Sequence, residues 1–414
     1  MSLIKNTIWN LSGYAVPTLV AIPALGFLAR DLGPERFGLF SLALAIIGYA
    51  SIFDAGLTRA IVREISLFRD DNIECGKIVA NSSLILTVLG ITGGAIIYFS
   101  GPAIVNVLNV KSGYYAETLQ AISLVSLSLP FFLLNQAWLS ILEGREEFKK
   151  SNLIKSVNSS LIAGLPALAA MIHSSLTWAV LGLLAARVLS LLITFYRCRE
   201  HIVSGRFTIE TATMARLMRY GGWITVSNII SPLMSYFDRF IVSHVMGASH
   251  VAFYTAPAEG VQRLTILPGA LARAVFPKLS GRYGLDEKKK QRNLAYSLML
   301  LTIVPVAVVG IIFSEFIITT WLGPAYAGLP AEVFKILLVG FVLGSVAQIP
   351  FASIQGAGFS KVTAMIHLCE LLPYLAILYY FINLWGVIGV ACAWTLRVSV
   401  DCLALILINN KLVK

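Results

Sequence analysis

The sequence predicts an all-α membrane protein with about 12 transmembrane helices in two parallel six-helix repeats. Three observations lead to this prediction. The 414 residues are 57% hydrophobic and only 13% charged, whereas about a quarter of the residues in a soluble domain are charged. Apolar stretches of about 20 residues, long enough to cross a bilayer, recur along the whole chain. Lys and Arg are concentrated in every second loop between these stretches.

The first apolar stretch follows Lys5 and runs without charge from Asn6 to Ala29. A secretory signal has an apolar region of only about 7 to 15 residues. This stretch is longer, so it is predicted to be the first membrane helix. The polar residues 173–175 separate the fifth and sixth spans. The predicted spans are 6–29, 37–58, 78–100, 117–142, 152–172, 176–196, 220–246, 252–273, 293–320, 331–356, 361–381 and 385–408.

The orientation follows from the loops, because Lys and Arg are retained on the cytoplasmic side. One side of the predicted topology carries 24 of the 32 Lys and Arg residues, the other side carries three, and five lie inside spans. Both termini are therefore predicted to be cytoplasmic. This distribution also accounts for the net charge of +11. No nucleic-acid recognition motif accompanies the charge, so no nucleic-acid partner is expected.

An internal repeat appears when residues 33–108 are aligned without gaps to residues 247–322. In this alignment 14 of 76 positions are identical, and the same register matches Arg59 with Arg273. The repeat predicts a six-helix lobe at 1–200, a basic cytoplasmic linker at 201–219 and a second lobe at 220–414. Because each lobe has an even number of helices, the repeats are parallel, and transporters of this kind bind substrate between the halves.

Ionisable residues inside the predicted spans are candidates for function. Such a residue costs at least about 2.5 kcal/mol to insert and usually faces a cavity or a partner. Arginine forks suit phosphate oxygens, and a buried carboxylate can hold a proton or sodium ion. The candidate anion contacts are Arg59, Arg239, Arg263, Arg273 and Arg397, with Arg187 a weaker one; the candidate ion-coupling residues are Asp54, Asp238, Glu259 and Asp401.

Structural roles are the alternative interpretation of these charges. Glu259 with Arg263, and Arg397 with Asp401, stand at i, i+4 spacing on their helices and could neutralise one another. Arg59 and Arg273 could be ordinary positive-inside anchors.

Catalytic and metal-binding motifs are not found. The sequence contains no H-E-x-x-H, no Walker-type G-x-x-x-x-G-K-[ST] and no G-x-S-x-G, and its five cysteines form no C-x-x-C pair. We predict no catalytic residue, no metal and no cofactor.

Six segments carry a resemblance that covers essentially the whole chain: residues 5–11, 32–41, 53–59, 143–152, 236–240 and 355–358. In these segments the chain resembles the O-antigen and polysaccharide flippases of the multidrug/oligosaccharidyl-lipid/polysaccharide exporter superfamily. The resemblance implies V-shaped lobes around a central cationic cavity in the bacterial inner membrane. It implies no enzymatic activity.

The resemblance also implies a substrate and partners. Such proteins move undecaprenyl-diphosphate-linked O-antigen units from the cytoplasmic to the periplasmic leaflet by alternating access, in lipopolysaccharide and polysaccharide biosynthesis. H⁺ and Na⁺ are the candidate coupling ions. Arg59, Arg263 and Arg273 would contact the diphosphate or an acidic sugar. The implied partners are the lipid-linked oligosaccharide, membrane lipid and other polysaccharide assembly proteins.

Two alternative functions stay open at this point. A cation-coupled multidrug exporter of the same superfamily would transport a small cation, which a positively lined cavity disfavours. A membrane enzyme of polysaccharide polymerisation would be expected to have a large external loop. The longest external loop predicted here is the short segment 101–116.

Overall fold

The computed structural model describes residues 3–203, 208–272, 285–357 and 359–412, and over these residues the regular structure is helical. Tertiary contacts divide the chain into two compact units. The first, here called the N-terminal unit, is Leu19–Ser249. The second, the C-terminal unit, combines Met1–Thr18 with His250–Lys414. These two units are defined by contacts and differ from the predicted lobes at 1–200 and 220–414, which with the linker at 201–219 stay a prediction.

The N-terminal unit contains most of α1 and the next seven helices. Short 3₁₀ turns at Ser51–Asp54 and Ser112–Tyr114 precede α2 and α5. The helices are α1 (Leu3–Ala50), α2 (Leu57–Leu67), α3 (Asn72–Phe99), α4 (Gly101–Val107), α5 (Tyr115–Gly144), α6 (Phe148–Ile172), α7 (Leu176–Val203) and α8 (Thr211–Met246).

The C-terminal unit contains the remaining helices, with a 3₁₀ turn at Pro324–Tyr326. They are α9 (Ala248–Leu264), α10 (266–272), α11 (Leu285–Ile312), α12 (Ser314–Leu322), α13 (Leu329–Gly356) and α14 (Ser360–Leu412).

The predicted repeat is confirmed by the backbone. Gly33 interrupts α1 with φ 69° and ψ 171°, and its counterpart in the repeat, Gly247, separates α8 from α9 with φ 87° and ψ 170°. Glycine adopts these angles without the steric cost that a Cβ atom imposes. The first residues of α5 and α13, Tyr115 and Leu329, are related by the same offset. The two halves therefore share one order of helices and breaks.

Eight helices in the described part of the chain are long and apolar enough to cross a membrane. Two of them contain a glycine break: Val16–Asp54 has 39 residues around Gly33, and Lys361–Leu412 has 52 residues around Gly386. At 1.5 Å per residue, the longer of the two spans about 78 Å, more than twice the hydrocarbon thickness. Gly33 lies in the predicted loop 30–36, and Gly386 lies two residues after the predicted loop 382–384, so each of these helices supplies two spans. The eight helices thus give ten candidate spans in the described part of the chain, and the predicted spans at 220–246 and 252–273 are not among them.

Three predicted boundaries are corrected. The span predicted at 37–58 ends earlier, at Ala50, and the segment predicted as a loop after it contains α2, an amphipathic helix too short for a search by span length. The span predicted at 293–320 is two helices, α11 and α12, that meet at Phe313.

A network of ion pairs connects α2, α3 and α8 within the N-terminal unit. Glu64 of α2 is buried, and its Oε1 accepts a hydrogen bond of 2.6 Å from Arg63 Nη1. Arg216 Nε of α8 lies 2.6 Å from Glu64 Oε2, in ion-pair rather than hydrogen-bond geometry. Arg216 Nη2 donates a hydrogen bond of 2.6 Å to Glu74 Oε1 of α3. Arg216 thus joins the beginning of α8 to two helices of the first repeat.

A second set of contacts holds the chain just before α8. Lys77 Nζ lies 3.0 Å from Glu210 Oε2, and this contact holds the pKa of the Glu210 carboxyl below its usual value. The Asn81 side chain accepts a hydrogen bond from the Glu210 backbone N–H and donates one to the Thr208 carbonyl. The start of α8 is therefore fixed by both side-chain and backbone contacts.

Close packing of α3 on α5 relies on glycine. A Cβ atom on Gly94 would lie 2.6 Å from the carbonyl oxygen of Ser126, and one on Gly90 would lie 2.6 Å from Pro130 Cα. Both contacts are with backbone atoms, which a rotamer change cannot relieve. Small residues at such positions let membrane helices approach closely and gain van der Waals contact.

Candidate functional site

Asp54 and Arg59 lie on either side of the turn that leads into α2. Asp54 is buried, and its carboxylate accepts hydrogen bonds from the backbone N–H (3.1 Å) and the hydroxyl (2.5 Å) of Thr58. Ala55 and Gly56 adopt left-handed backbone conformations in this turn. Asp54 therefore holds the first turn of α2, in which the Arg59 side chain is exposed. Their roles in ion coupling and anion contact stay predictions.

Asp238 and Arg239 lie side by side in α8, and both are buried. Asp238 Oδ1 accepts a hydrogen bond of 2.8 Å from the Arg239 backbone N–H. The Arg239 guanidinium lies over the Tyr236 ring, 5.2 Å from its centre. Tyr49 of α1 contacts Tyr236 and Phe240, at ring distances of 6.3 and 5.3 Å. The predicted charges of α8 are thus placed in an aromatic environment inside the N-terminal unit.

Arg187 of α7 belongs to the same region, although the sequence made it only a weak candidate. Its guanidinium lies over the Phe132 ring of α5, 4.6 Å from the centre, and it interacts electrostatically with Tyr236. Its Nε has no hydrogen-bond partner among the described residues, and none of their carboxylates lies within ion-pair distance. A guanidinium with unused donors inside a membrane span is suited to binding an anion.

Uncharged polar residues continue from Arg187 along α7. Ser190 and Thr194, three and seven positions later, lie on the same helix face and are buried. Asn158 of α6 donates from Nδ2 to Thr194 Oγ1 at 3.3 Å and to Asn135 Oδ1 of α5 at 3.5 Å. We call these five residues the polar track. A hydropathy search misses it, but the i, i+3, i+7 spacing of polar residues on α7 could have revealed it.

Glu259 and Arg263 of α9 form the pair that their spacing allows. Arg263 Nη2 lies 3.7 Å from Glu259 Oε2, and the Arg263 side chain is 33% exposed. Gly260 between them leaves room for the Trp321 ring, since a Cβ atom there would lie 2.9 Å from that ring. The pair is therefore formed, and the roles of its members in anion contact and ion coupling stay predictions. Arg273, the other predicted cation of this region, lies outside the described residues.

Arg397 and Asp401 of α14 do not form the expected ion pair. Asp401 Oδ1 instead lies 3.7 Å from His367 Nε2, and the Asp401 carboxyl interacts electrostatically with that of Glu370. The Arg397 guanidinium lies over the Tyr374 ring at 5.2 Å. Arg397 still interacts electrostatically with Asp401, although the two are not in direct ion-pair contact, and the roles of both residues stay predictions. Asp401 binds groups on the first half of α14, which spacing along the second half could not reveal.

The structure brings the predicted residues into two groups, each inside one unit. In the N-terminal unit, Asp238 and Arg239 share an aromatic region with Arg187; in the C-terminal unit, Arg397 and Asp401 lie near Glu370 and His367. Over the described parts of the chain, no three His, Cys, Asp or Glu side chains are close enough together to hold a metal ion. The chemistry available in these groups is binding of anions by guanidinium and of cations or protons by carboxylate.

Two parallel repeats of spanning helices, with arginines and carboxylates inside the spans, define a multi-pass membrane protein with a transporter fold. Comparison with known proteins identifies the family. The chain belongs to the polysaccharide biosynthesis protein family, whose model matches residues 3–281. It is 45% identical over 405 residues to a protein of Shigella flexneri named "Putative O-antigen transporter", and the match covers 98% of this chain and 97% of that one.

Solved structures show the same fold at low sequence identity. An inward-facing multidrug resistance MATE family transporter of the MOP superfamily is similar with a TM-score of 0.77 at 17% identity, over 98% of both chains. The lipid II flippase MurJ in an inward closed conformation is similar with a TM-score of 0.76 at 16% identity, over 95% of this chain and 86% of that one. These likenesses confirm the predicted fold class.

Proposed function

We propose that this protein flips undecaprenyl-diphosphate-linked O-antigen units from the cytoplasmic to the periplasmic leaflet by alternating access, in the biosynthesis of lipopolysaccharide or a related polysaccharide. The observation that carries the proposal is the 45% identity to the Shigella flexneri protein, which extends over almost the full length of both chains. The function is transport, with no covalent change in the substrate. The partners are the lipid-linked oligosaccharide, membrane lipid and other polysaccharide assembly proteins.

Arginines inside the spans support an anionic substrate. A diphosphate offers several charged oxygens, and each guanidinium can donate two parallel hydrogen bonds to such a group. In this proposal the substrate contacts are Arg59, Arg239, Arg263, Arg273 and Arg397. Arg187 joins them because its Nε is buried without a partner among the described residues.

Carboxylates in the same helices support coupling to H⁺ or Na⁺. Asp238 is buried beside Arg239, and Glu259 lies next to Arg263. A carboxylate whose charge is balanced by arginine can change partners when the arginine binds substrate, which would link ion and substrate binding. Asp238 and Glu259 are the proposed coupling residues, with Asp54 and Asp401 as further candidates.

The location follows from the distribution of cations. The 24 Lys and Arg residues on one side of the topology, against three on the other, support an inner-membrane protein with both termini in the cytoplasm. This orientation places the loop between α5 and α6, and the α7 end, in the cytoplasm.

Deletion of the gene in the source strain and complementation test this function. Wild-type protein should restore surface polysaccharide, whereas the deletion strain should accumulate lipid-linked units on the cytoplasmic face. Arg59→Ala, Arg273→Ala and Arg187→Gln should restore less polymer than wild type at equal protein level. Lys411→Ala, which removes an exposed cation at the end of α14, is the matched control and should restore it fully.

Two results would contradict the proposal. Normal polymer in a deletion strain without a redundant transporter would exclude the flippase function. Increased sensitivity to cationic drugs with unchanged polysaccharide would instead favour the multidrug exporter. Full complementation by Arg187→Gln would remove that residue from the substrate contacts and leave the flippase function untouched.

A further inference from the structure

A basic pocket lies where the beginning of α6 meets the end of α7, in the N-terminal unit. It has a volume of about 250 Å³ and is lined by Lys150, Leu153, Tyr196, Arg197, Arg199 and Glu200, among others. A water molecule takes about 30 Å³ of the liquid, so the pocket is large enough for a glycerophosphate group. We call it the α6–α7 pocket. It shares no residue with the two groups of intramembrane charges described above.

The position of this pocket relative to the bilayer follows from the length of α7. Helix α7 has 28 residues, from Leu176 to Val203, and is therefore about 42 Å long. The hydrocarbon core of a bilayer is only about 30 Å thick. The last turns of α7, which carry Arg197 and Arg199, therefore extend into the headgroup layer. Helix α6 runs antiparallel to α7 and begins at Phe148, so Lys150 lies at the same level.

The charge of the pocket is positive. No described carboxylate lies within ion-pair distance of Arg197, and Arg199 stacks on Tyr196 with 4.8 Å between the guanidinium carbon and the ring centre. Lys150 is paired with Glu147 at 2.6 Å. Glu200 is the one acidic residue of the lining and is outnumbered by the two arginines.

The side of the pocket that faces the bilayer is apolar. Leu153 and Tyr196 are 59% and 62% exposed, and the neighbouring Phe148 and Phe195 are exposed as well. Aromatic side chains at this depth are typical of the interface between hydrocarbon and headgroups. A ligand here would contact cations with one end and apolar side chains with the other, which describes a phospholipid and not a free ion.

We propose that the α6–α7 pocket binds the headgroup of an anionic phospholipid, with the phosphate between Arg197 and Arg199 and an acyl chain along Leu153 and Tyr196. A basic pocket between membrane helices attracts anionic headgroups in proportion to its number of cations. The site is independent of the transported substrate, because its residues take no part in the proposed flipping.

Lipid binding to the purified full-length protein in detergent tests the proposal. Phosphatidylglycerol, phosphatidylcholine and inorganic phosphate are titrated separately, with binding followed by native mass spectrometry and thermal stabilisation. Arg197→Gln/Arg199→Gln should bind phosphatidylglycerol on the order of 30-fold more weakly than wild type, because each cation contributes about a factor of five. Lys361→Gln/Lys411→Gln removes two exposed cations elsewhere and should bind like wild type.

A charge-preserving variant separates binding from folding. Arg197→Lys/Arg199→Lys should retain most of the affinity for phosphatidylglycerol, and phosphatidylcholine should bind no variant selectively. Equal affinity of wild type and the glutamine variant would overturn the proposal. Equal stabilisation by inorganic phosphate would also overturn it, because the site would then recognise a free ion.

Discussion

Glu64→Gln is expected to loosen the attachment of α8 to α2. The side chain of Glu64 is only 1% exposed and contacts Arg63 and Arg216, each at 2.6 Å. Glutamine has nearly the same shape but carries no charge. The substitution therefore removes the electrostatic part of both contacts with little change in packing volume.

The expected loss in the free energy of unfolding follows from the burial of the Glu64 side chain. A hydrogen bond to a charged group contributes about 1.5–3 kcal/mol when it is buried. The side chains of Arg63 and Arg216 are 46% and 37% exposed, so solvent screens part of this interaction. We expect a loss of about 1–2 kcal/mol in the free energy of unfolding. For a chain of this size such a loss lowers the melting temperature by about 1–2 °C.

Thermal unfolding of the purified protein, followed by tryptophan fluorescence, measures this effect. Glu146→Gln is the matched control, because the ion pair of Glu146 with Arg69 is exposed and 2.7 Å long. Its melting temperature should fall clearly less than that of Glu64→Gln, because exposed ion pairs contribute little to stability. High salt should reduce the difference between Glu64→Gln and wild type. Equal shifts for the two variants would refute the argument that burial makes the Glu64 contacts stronger.

Three further predictions concern backbone and charge. Gly33→Ala should cost about 1–3 kcal/mol, since φ of 69° with ψ of 171° is strained for alanine, whereas Gly113→Ala, at an open site, should leave the melting temperature unchanged. Gly94→Ala should lower the melting temperature and cost about 1–3 kcal/mol by overpacking α3 against the backbone of α5. The contact with Lys77 lowers the pKa of Glu210, so ionised Glu210 stabilises the folded state above pH 4.5, the usual carboxyl value. This stabilisation is lost as the pH falls through the lowered pKa. In melting curves between pH 7 and 3, the melting temperature of Glu210→Gln should therefore fall less below pH 4.5 than that of wild type.

The spanning helices could be predicted from the sequence because their signal is local. A stretch of roughly 20 apolar residues has few alternatives to a membrane helix. The break at Gly33 falls in a predicted loop, and the break at Gly386 lies two residues after the loop predicted at 382–384. Helix α2 was missed because its 11 residues are amphipathic and too short to span. The break at Phe313 was missed because the apolar stretch resumes at Phe316 after only Ser314 and Glu315.

The intramembrane charges could likewise be located from the sequence, but their partners could not. Spacing along one helix predicts only partners that lie one or two turns away, and this prediction is confirmed for Glu259 and Arg263. Asp401 interacts with His367 on the far side of the Gly386 break, and such contacts depend on how helices pack. Arg216 contacts Glu74 of another helix for the same reason.

The helices of the two halves start at equivalent positions of the repeat, and this limits where residues can be inserted into the chain. Each residue advances an α-helix by about 100°, so a single insertion inside α5 would rotate every later side chain of that helix away from its neighbours. The turns before α5 and α13 differ in sequence, yet both helices begin at equivalent positions of the repeat. The turn before α5, where residues 111–113 are exposed, is therefore a place where tags or added residues should be accepted.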